Sequence, residues 1–422
     1  MNRVLAQAAA SAAALSLIGS VAAQQCYSPQ NQCFSFAPPG GEVERIETGL
    51  SLRSNQLKIT GDIRMRARFA EAPTGTFYNT NDQQSTRTRV QLDYTVNEFA
   101  NAFVEFNFSE VWAGSEGYSD AQPDPTSNGF ASRENFSGIA QAYLQLEDAF
   151  GFDEKIRIGR SNYFLANGMV LGSCDFLQYP GAFTGIWASR SFGDFDLEVF
   201  AFDNYGPLQS QLMGGGERYA GGTARWNASE NGPVRDLNVY YMSGTNDGDV
   251  RRNANDSWVG IEGVGTLPGN LEWSAQFGHR QVSGGMDVSA YRARIERKFE
   301  DAGPLRSIAV TRTDSEGALH INPADFNSAG LLHQYGGMWR SDLDTNQLSF
   351  ALTPGGGVDA TVTFLTLDHD GAQTGGINQQ LGHSEMDVLL GKEVRPGIHL
   401  GGGYSIDNQE RQVGYLQVTV FF

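Results

Sequence analysis

The last nine residues, Gly414-Tyr415-Leu416-Gln417-Val418-Thr419-Val420-Phe421-Phe422, decide how the rest of the chain is read. Leu416, Val418, Val420 and Phe422 fall on one side of a period-two pattern, and Tyr415, Gln417, Thr419 and Phe421 on the other. That period marks a strand, because successive Cβ atoms leave a strand on opposite faces. One face is apolar, the other is mixed, and the chain ends on an aromatic residue. Such a strand is either the edge of a sandwich or the closing strand of a membrane-spanning barrel.

The other end of the chain separates these. Met1 to Ala23 carries one basic residue, Arg3, then an Ala/Leu-rich run, then Val21-Ala22-Ala23. Small residues at the first and third positions before Gln24 suit signal peptidase, so residues 1–23 read as a secretory signal peptide cleaved near Ala23. Gln24 and Gln25 precede Cys26 where a lipoprotein signal would place a small residue, so lipidation is not expected. Beyond the leader no uncharged apolar run approaches the roughly 20 residues of a spanning helix. A membrane form of this chain must cross with strands. An exported chain ending in an alternating strand and Phe422 resembles bacterial outer-membrane β-barrels. That resemblance implies residence in the outer membrane of a Gram-negative-type cell, among its lipids, and recognition of the terminal aromatic by the barrel-assembly machinery.

Composition agrees. The chain has 422 residues, with 51 Gly, 26 Phe and 15 Tyr, and a formal net charge of −18. Its mean hydropathy of −0.35 is no objection, since a barrel shows lipid only every second residue and an average hides the apolar half. The acidic balance excludes nucleic acid as a partner, because a binder of phosphate backbones needs a basic face. Of the three Cys, Cys26 and Cys33 could pair in an oxidising compartment, leaving Cys174 odd. Neither Cys spacing nor His content suggests a zinc site, and no cofactor or metal is expected.

Residues 24–56 lack sustained periodicity and include Ala37-Pro38-Pro39-Gly40-Gly41, so they read as a periplasmic amino-terminal segment, either a disulfide-tied cap or a flexible lead-in. Residues 57–422 read as the barrel. On the first strand Leu57, Ile59, Gly61, Ile63, Met65, Ala67 and Phe69 face one way, and Lys58, Thr60, Asp62, Arg64, Arg66 and Arg68 the other. The second puts Thr88, Val90, Leu92, Tyr94 and Val96 outward with Arg87, Arg89, Gln91, Asp93 and Thr95 inward; the third puts Ala102, Val104, Phe106 and Phe108 outward with Asn101, Glu105 and Asn107 inward. This is the alternation of lipid-out, water-in strands.

Connection lengths alternate, and short turns mark the periplasmic side. Tracing forward gives thirteen strands through Ile308 to Thr313, and tracing backward from Phe422 makes Asn346 to Leu352 a descending strand. Residues 314–345 then form one large external excursion and His333 to Arg340 is loop. The total is about 18 antiparallel strands, an even number as closure requires. Ser161 to Phe183, carrying Phe164, Met169, Val170, Leu171, Phe176 and Leu177, is too apolar for an outside loop and is expected to fold inward and narrow the pore.

A barrel of this size encloses an aqueous channel, so its inward residues carry the function. Arg64, Arg66, Arg68, Arg87 and Arg89, joined later by Arg157, Arg160, Arg292 and Arg294, make an inward or constriction set. Guanidinium forks bind carboxylates and phosphates and raise local anion concentration. The same arginines could instead pair with acids such as Glu105, Glu272 and Glu296 and merely brace the wall. Barrel hydrolases place His beside acids at the rim, which makes Asp368-His369-Asp370 the candidate for catalysis, but neither G-x-S-x-G nor H-E-x-x-H is present. The acidic runs Asp120 to Asp124 and Asp247 to Asp249 lack the order of a calcium loop.

Taken with the signal peptide, Ile156-Arg157-Ile158-Gly159-Arg160 feeding a long inward loop, Gly382-His383-Ser384-Glu385-Met386-Asp387-Val388 and Gly402-Gly403-Tyr404-Ser405 resemble the alginate-export family of outer-membrane porins. The resemblance implies an 18-stranded barrel with an arginine-rich conduit for an anionic polysaccharide. The expectation is therefore a passive, anion-preferring porin for small anionic solutes or a polysaccharide such as alginate. A general porin with a braced lumen, or an outer-membrane hydrolase, is the alternative.

Overall fold

The computed structural model describes residues 52–53, 56–71, 83–114, 136–172, 182–203, 217–228, 232–246, 255–283, 285–299, 303–317, 319, 343–368, 383–408, 410 and 412–422. Outside the described residues lie the signal peptide, Cys26, Cys33, Cys174, His333 to Arg340, His369 and both acidic runs.

The described residues form one antiparallel sheet: β1 (Leu52–Arg53), β2 (Leu57–Glu71), β3 (Gln83–Asn97), β4 (Ala100–Gly114), β5 (Phe136–Glu147), β6 (Glu154–Ser161), β7 (Phe183–Phe192), β8 (Phe195–Asp203), β9 (Glu217–Asn227) and β10 (Asp236–Asn246). It continues through β11 (Ser257–Leu267), β12 (Leu271–Gln281), β13 (Val288–Lys298), β14 (Leu305–Ser315), β15 (Leu343–Gly355), β16 (Val358–Asp368), β17 (His383–Arg395), β18 (Ile398–Asp407) and β19 (Gln412–Phe421). Each strand from β2 pairs with the next, and β19 pairs back onto β2, so these 18 strands close a barrel. The strand count and parity expected from the sequence hold. Several strands run longer than their apolar pattern, as β10 does through Ser243, Gly244, Thr245 and Asn246. The backbone ladder there continues to Asn246 opposite Glu217, past the last apolar residue of the pattern.

Closure is made by the C-terminal strand. β19 registers on β2 from Gln412 opposite Glu71 to Phe421 opposite Asp62, and Phe422 and Gly61 then exchange backbone hydrogen bonds of 2.9 and 2.8 Å. The Phe422 ring lies over Gly61, where an added Cβ would sit 2.5 Å from the ring Cζ. Below it β1 pairs with Ile59 and Lys58, so the seam edge of β2 is covered along its length. An uncovered edge would leave backbone groups unsatisfied within the membrane.

Outward positions are apolar and exposed, as at Ile63, Met65, Phe69, Val199, Ile295, Val310, Leu416 and Val418. The tight turns use residues suited to positive φ, such as Gly356 and Gly357 at 63° and 72°. After β6 the chain turns into the lumen as expected. Leu165 and Leu171 bridge around a short 3-10 helix, Ala166–Gly168. Tyr163, Leu165, Met169, Val170 and Leu171 pack on inward-facing Trp187, Phe200, Phe202, Tyr240, Met242 and Trp258. Leu319, from the excursion after β14, joins this core and its carbonyl accepts a 2.8 Å hydrogen bond from Trp258 Nε1.

Candidate functional site

The loop anchored on β7 to β13 divides the lumen into an apolar bed and a charged wall. The wall begins on β2 and β3, where apolar odd residues (Ile63, Met65) face lipid and even residues face in. Register sets Arg64 opposite Arg87 and Asp62 opposite Arg89, with Arg66 between Ser85 and Gln417. By backbone register Arg68 lies opposite Gln83. Arginines two residues apart on a strand stand roughly 6.6 Å apart along it.

Neighbouring guanidinium groups repel, and Asp62 offsets this. It is fully buried, and its two carboxylate oxygens accept from Arg87 Nη2 at 3.3 Å and Arg89 Nε at 2.5 Å. Arg66 donates twice to Gln417 Oε1, at 3.0 and 2.8 Å, beside the Tyr415 ring. Glu105, also buried, accepts from Gln91 Nε2 at 2.7 Å and Gln141 Nε2 at 3.2 Å. Gln141 Oε1 in turn accepts from the backbone N–H of Asn162 at 3.0 Å. A chain of polar contacts thus runs from Gln91 on β3 to the first residue of the inward loop.

Arg157 marks where wall and bed meet. Its Nε and Nη2 donate to Gln145 Oε1 at 3.2 and 2.6 Å, and its Cζ lies 4.2 Å from the Tyr143 ring centroid and 4.6 Å from that of Trp187. Two aromatic faces hold a desolvated cation with about 2 kcal/mol or more each. On the far side of the loop the buried Tyr163 hydroxyl donates to Glu198 Oε1.

Arg160 corrects the sequence reading. It lies three positions after Arg157, and an odd spacing reverses the face of a strand. It shares the outer face with Ile156 and Ile158, and its Nε donates to the Ala140 carbonyl at 2.8 Å. Arg292 and Arg294 do face inward, with Arg294 Nη2 3.2 Å from Glu296 Oε2. That contact is the bracing kind, alongside Lys298 to Glu272 at 2.8 Å.

The sequence reading missed an acidic flank. Glu385, Asp387 and Asp407 on β17 and β18 face in and are buried, with Ser405 Oγ donating to Glu385 Oε1 at 2.8 Å. Only β19 separates β18 from β2. The signal was available, since Ser384, Met386 and Val388 alternate with Glu385 and Asp387. The lumen is therefore charge-segregated: cationic on β2 and β3, acidic on β17 and β18. Among the described residues no group of three or more His, Cys, Asp or Glu is arranged to hold a metal ion.

Residues 55–303 match the protein family described as Alginate export. No curated protein matches the chain significantly. Among solved structures, OccK2 (OpdF) of Pseudomonas aeruginosa in complex with glucuronate superposes with a TM-score of 0.62 at 12% identity, over 87% of this chain and 96% of that one. OpdK of Pseudomonas aeruginosa with vanillate gives 0.60 at 13%, over 87% and 98%. OccK11 (OpdR) of the same organism gives 0.59 at 9%, over 87% and 96%. At such identities the likeness is one of fold.

Proposed function

Because the chain belongs to the alginate-export family, we propose that it is a passive outer-membrane channel that prefers anions and carries small carboxylates or an anionic polysaccharide such as alginate. The leader 1–23 is removed on export, and the strand ending at Phe422 is what the barrel-assembly machinery reads. The observation that carries the reading is the inner row of guanidinium groups, Arg64, Arg66, Arg87 and Arg89, across β2 and β3. A net charge of −18 does not oppose it, because net charge is a sum over the whole molecule and exposed charges away from the lumen are screened beyond about 8 Å at physiological ionic strength. Inside the barrel the guanidinium groups stay charged at any accessible pH, and a series of weak sites conducts where one tight site would block. The ligands named with OccK2 and OpdK, glucuronate and vanillate, are both carboxylates, which supports the class of solute.

The test is the reversal potential in a KCl gradient across a planar bilayer. Replacing Arg64, Arg66 and Arg68 with Glu moves it toward cation preference. A cation-selective wild-type channel, or a triple variant that leaves the potential unmoved, overturns the reading. The grip of Asp62 on Arg87 and Arg89 favours a second reading, a general porin whose arginines brace the wall, and that outcome would establish it.

A further inference from the structure

The outer wall carries a concavity that the channel does not use. It is a shallow, largely open hollow of about 510 Å³ across β14 to β18, within the roughly 300–1,000 Å³ range of ligand sites. The sheet register resolves the outward-facing part of its lining into two rows, while Gln347, Leu365, Glu385 and Asp407, which alternate with them, turn their side chains to the lumen. Val310, Leu348, Phe364, Met386 and Ile406 lie opposite one another in sequence across five strands. One side-chain step nearer the external loops, Asn346, Thr366 and Ser384 form the next row. Asn408 joins that row, its backbone N–H donating to the Ser384 carbonyl at 3.0 Å.

The lower row is apolar on all five strands and the upper row is uncharged and polar, so the boundary of the hydrocarbon passes between them. A convex barrel wall offers no hollow by itself. Here the hollow arises because short Thr366 and Ser384 stand above the large Phe364. Arg312 registers opposite Asn346 at the end of the polar row, and it is already committed to Asp344 and, at 3.6 Å, to Asp314. The groove thus presents hydrocarbon below and amide and hydroxyl groups above, with no uncommitted cation on β14.

We propose that this groove is a fixed lipid site, taking one acyl chain of an outer-leaflet lipid along Leu348, Phe364 and Met386. The ester or amide carbonyls and hydroxyls at the head of that chain meet Asn346, Thr366, Ser384 and Asn408. The match lies between an amphiphile with a neutral hydroxyl- and carbonyl-bearing shoulder and two rows of the same polarity order. The membrane supplies such a molecule at this depth.

The test uses the full chain in phosphatidylglycerol vesicles containing a phosphatidylcholine with a photoactivatable diazirine in one acyl chain. Cross-linked peptides are mapped by mass spectrometry, with the equally apolar outer face of β8 (Leu197, Val199) as internal reference. Labelling concentrates on β15 to β17, and Ser384→Trp, which fills the hollow, lowers it about tenfold, the response to roughly 1.4 kcal/mol of lost affinity. Thr366→Leu removes a polar partner and serves as a second variant should the first fold poorly; single-channel conductance is unchanged in both. Labelling uniform around the barrel, or insensitive to both substitutions, overturns the proposal. So do chain-to-chain cross-links through this face, which would make the occupant a second copy.

Discussion

Asp62 Oδ2 accepts from Arg89 Nε at 2.5 Å while Oδ1 holds Arg87 Nη2 at 3.3 Å, so one fully buried carboxylate sits between two arginines of the cationic wall. Bracing and anion attraction are usually posed as alternatives. Here they share residues, because a carboxylate that fixes two guanidinium groups also cancels part of their charge.

Asp62→Asn separates the two effects. Losing one partner of a buried ion pair costs about 3–5 kcal/mol, so the barrel should unfold on gels at a lower temperature. The remaining channels should shift their reversal potential toward anions, because the wall gains a net positive charge. An unchanged potential would mean that Arg87 and Arg89 do not act on the permeating ion.

Arg157 and Arg160, three residues apart, should behave as opposites. Arg160→Gln leaves ion selectivity at the wild-type value, since its side chain belongs to the outer face. Arg157→Gln removes the cation stacked between Tyr143 and Trp187 and should change both selectivity and current noise. Equal effects from the two substitutions would contradict the assigned register.

Deleting residues 164–171 takes out the turn that packs on Phe200, Phe202 and Met242. Single-channel conductance should rise several-fold, because this loop fills part of a lumen that an 18-stranded wall would otherwise leave open. A conductance equal to wild type would show that the narrowest passage lies elsewhere.

Gly61→Val places a side chain against both the Arg89 carbonyl and the Phe422 ring, with the first added carbon 2.3 Å from the Arg89 oxygen and 2.5 Å from Cζ. The folded, heat-modifiable form should fall sharply in yield. Gly151→Ala, at a turn position with open space around it but a left-handed φ of 75°, serves as the control for glycine replacement that adds backbone strain without a steric contact. Equal yields in both would show that the ring contact does not matter to closure.

The sequence by itself determined the barrel. Period-two alternation, turn lengths and the parity of the strand count depend only on local chemistry and on the need to leave no free edge, and Phe422 at the end of β19 carries that logic to its last residue. It also determined that the segment after β6 leaves the water outside, because Met169, Val170 and Leu171 have no other place to go. Tertiary structure alone decided what each inward charge meets. Alternation assigns a face to Asp62 but cannot say that it holds Arg87 and Arg89 together, since partners on β2 and β3 are set by register. It cannot bring Gln141 to Asn162, or place Glu385 and Asp387 one strand away from the seam with the arginines, because barrel closure joins residues more than three hundred positions apart. The lipid-side groove is a further case: its two rows cross five strands, and no window of sequence contains them.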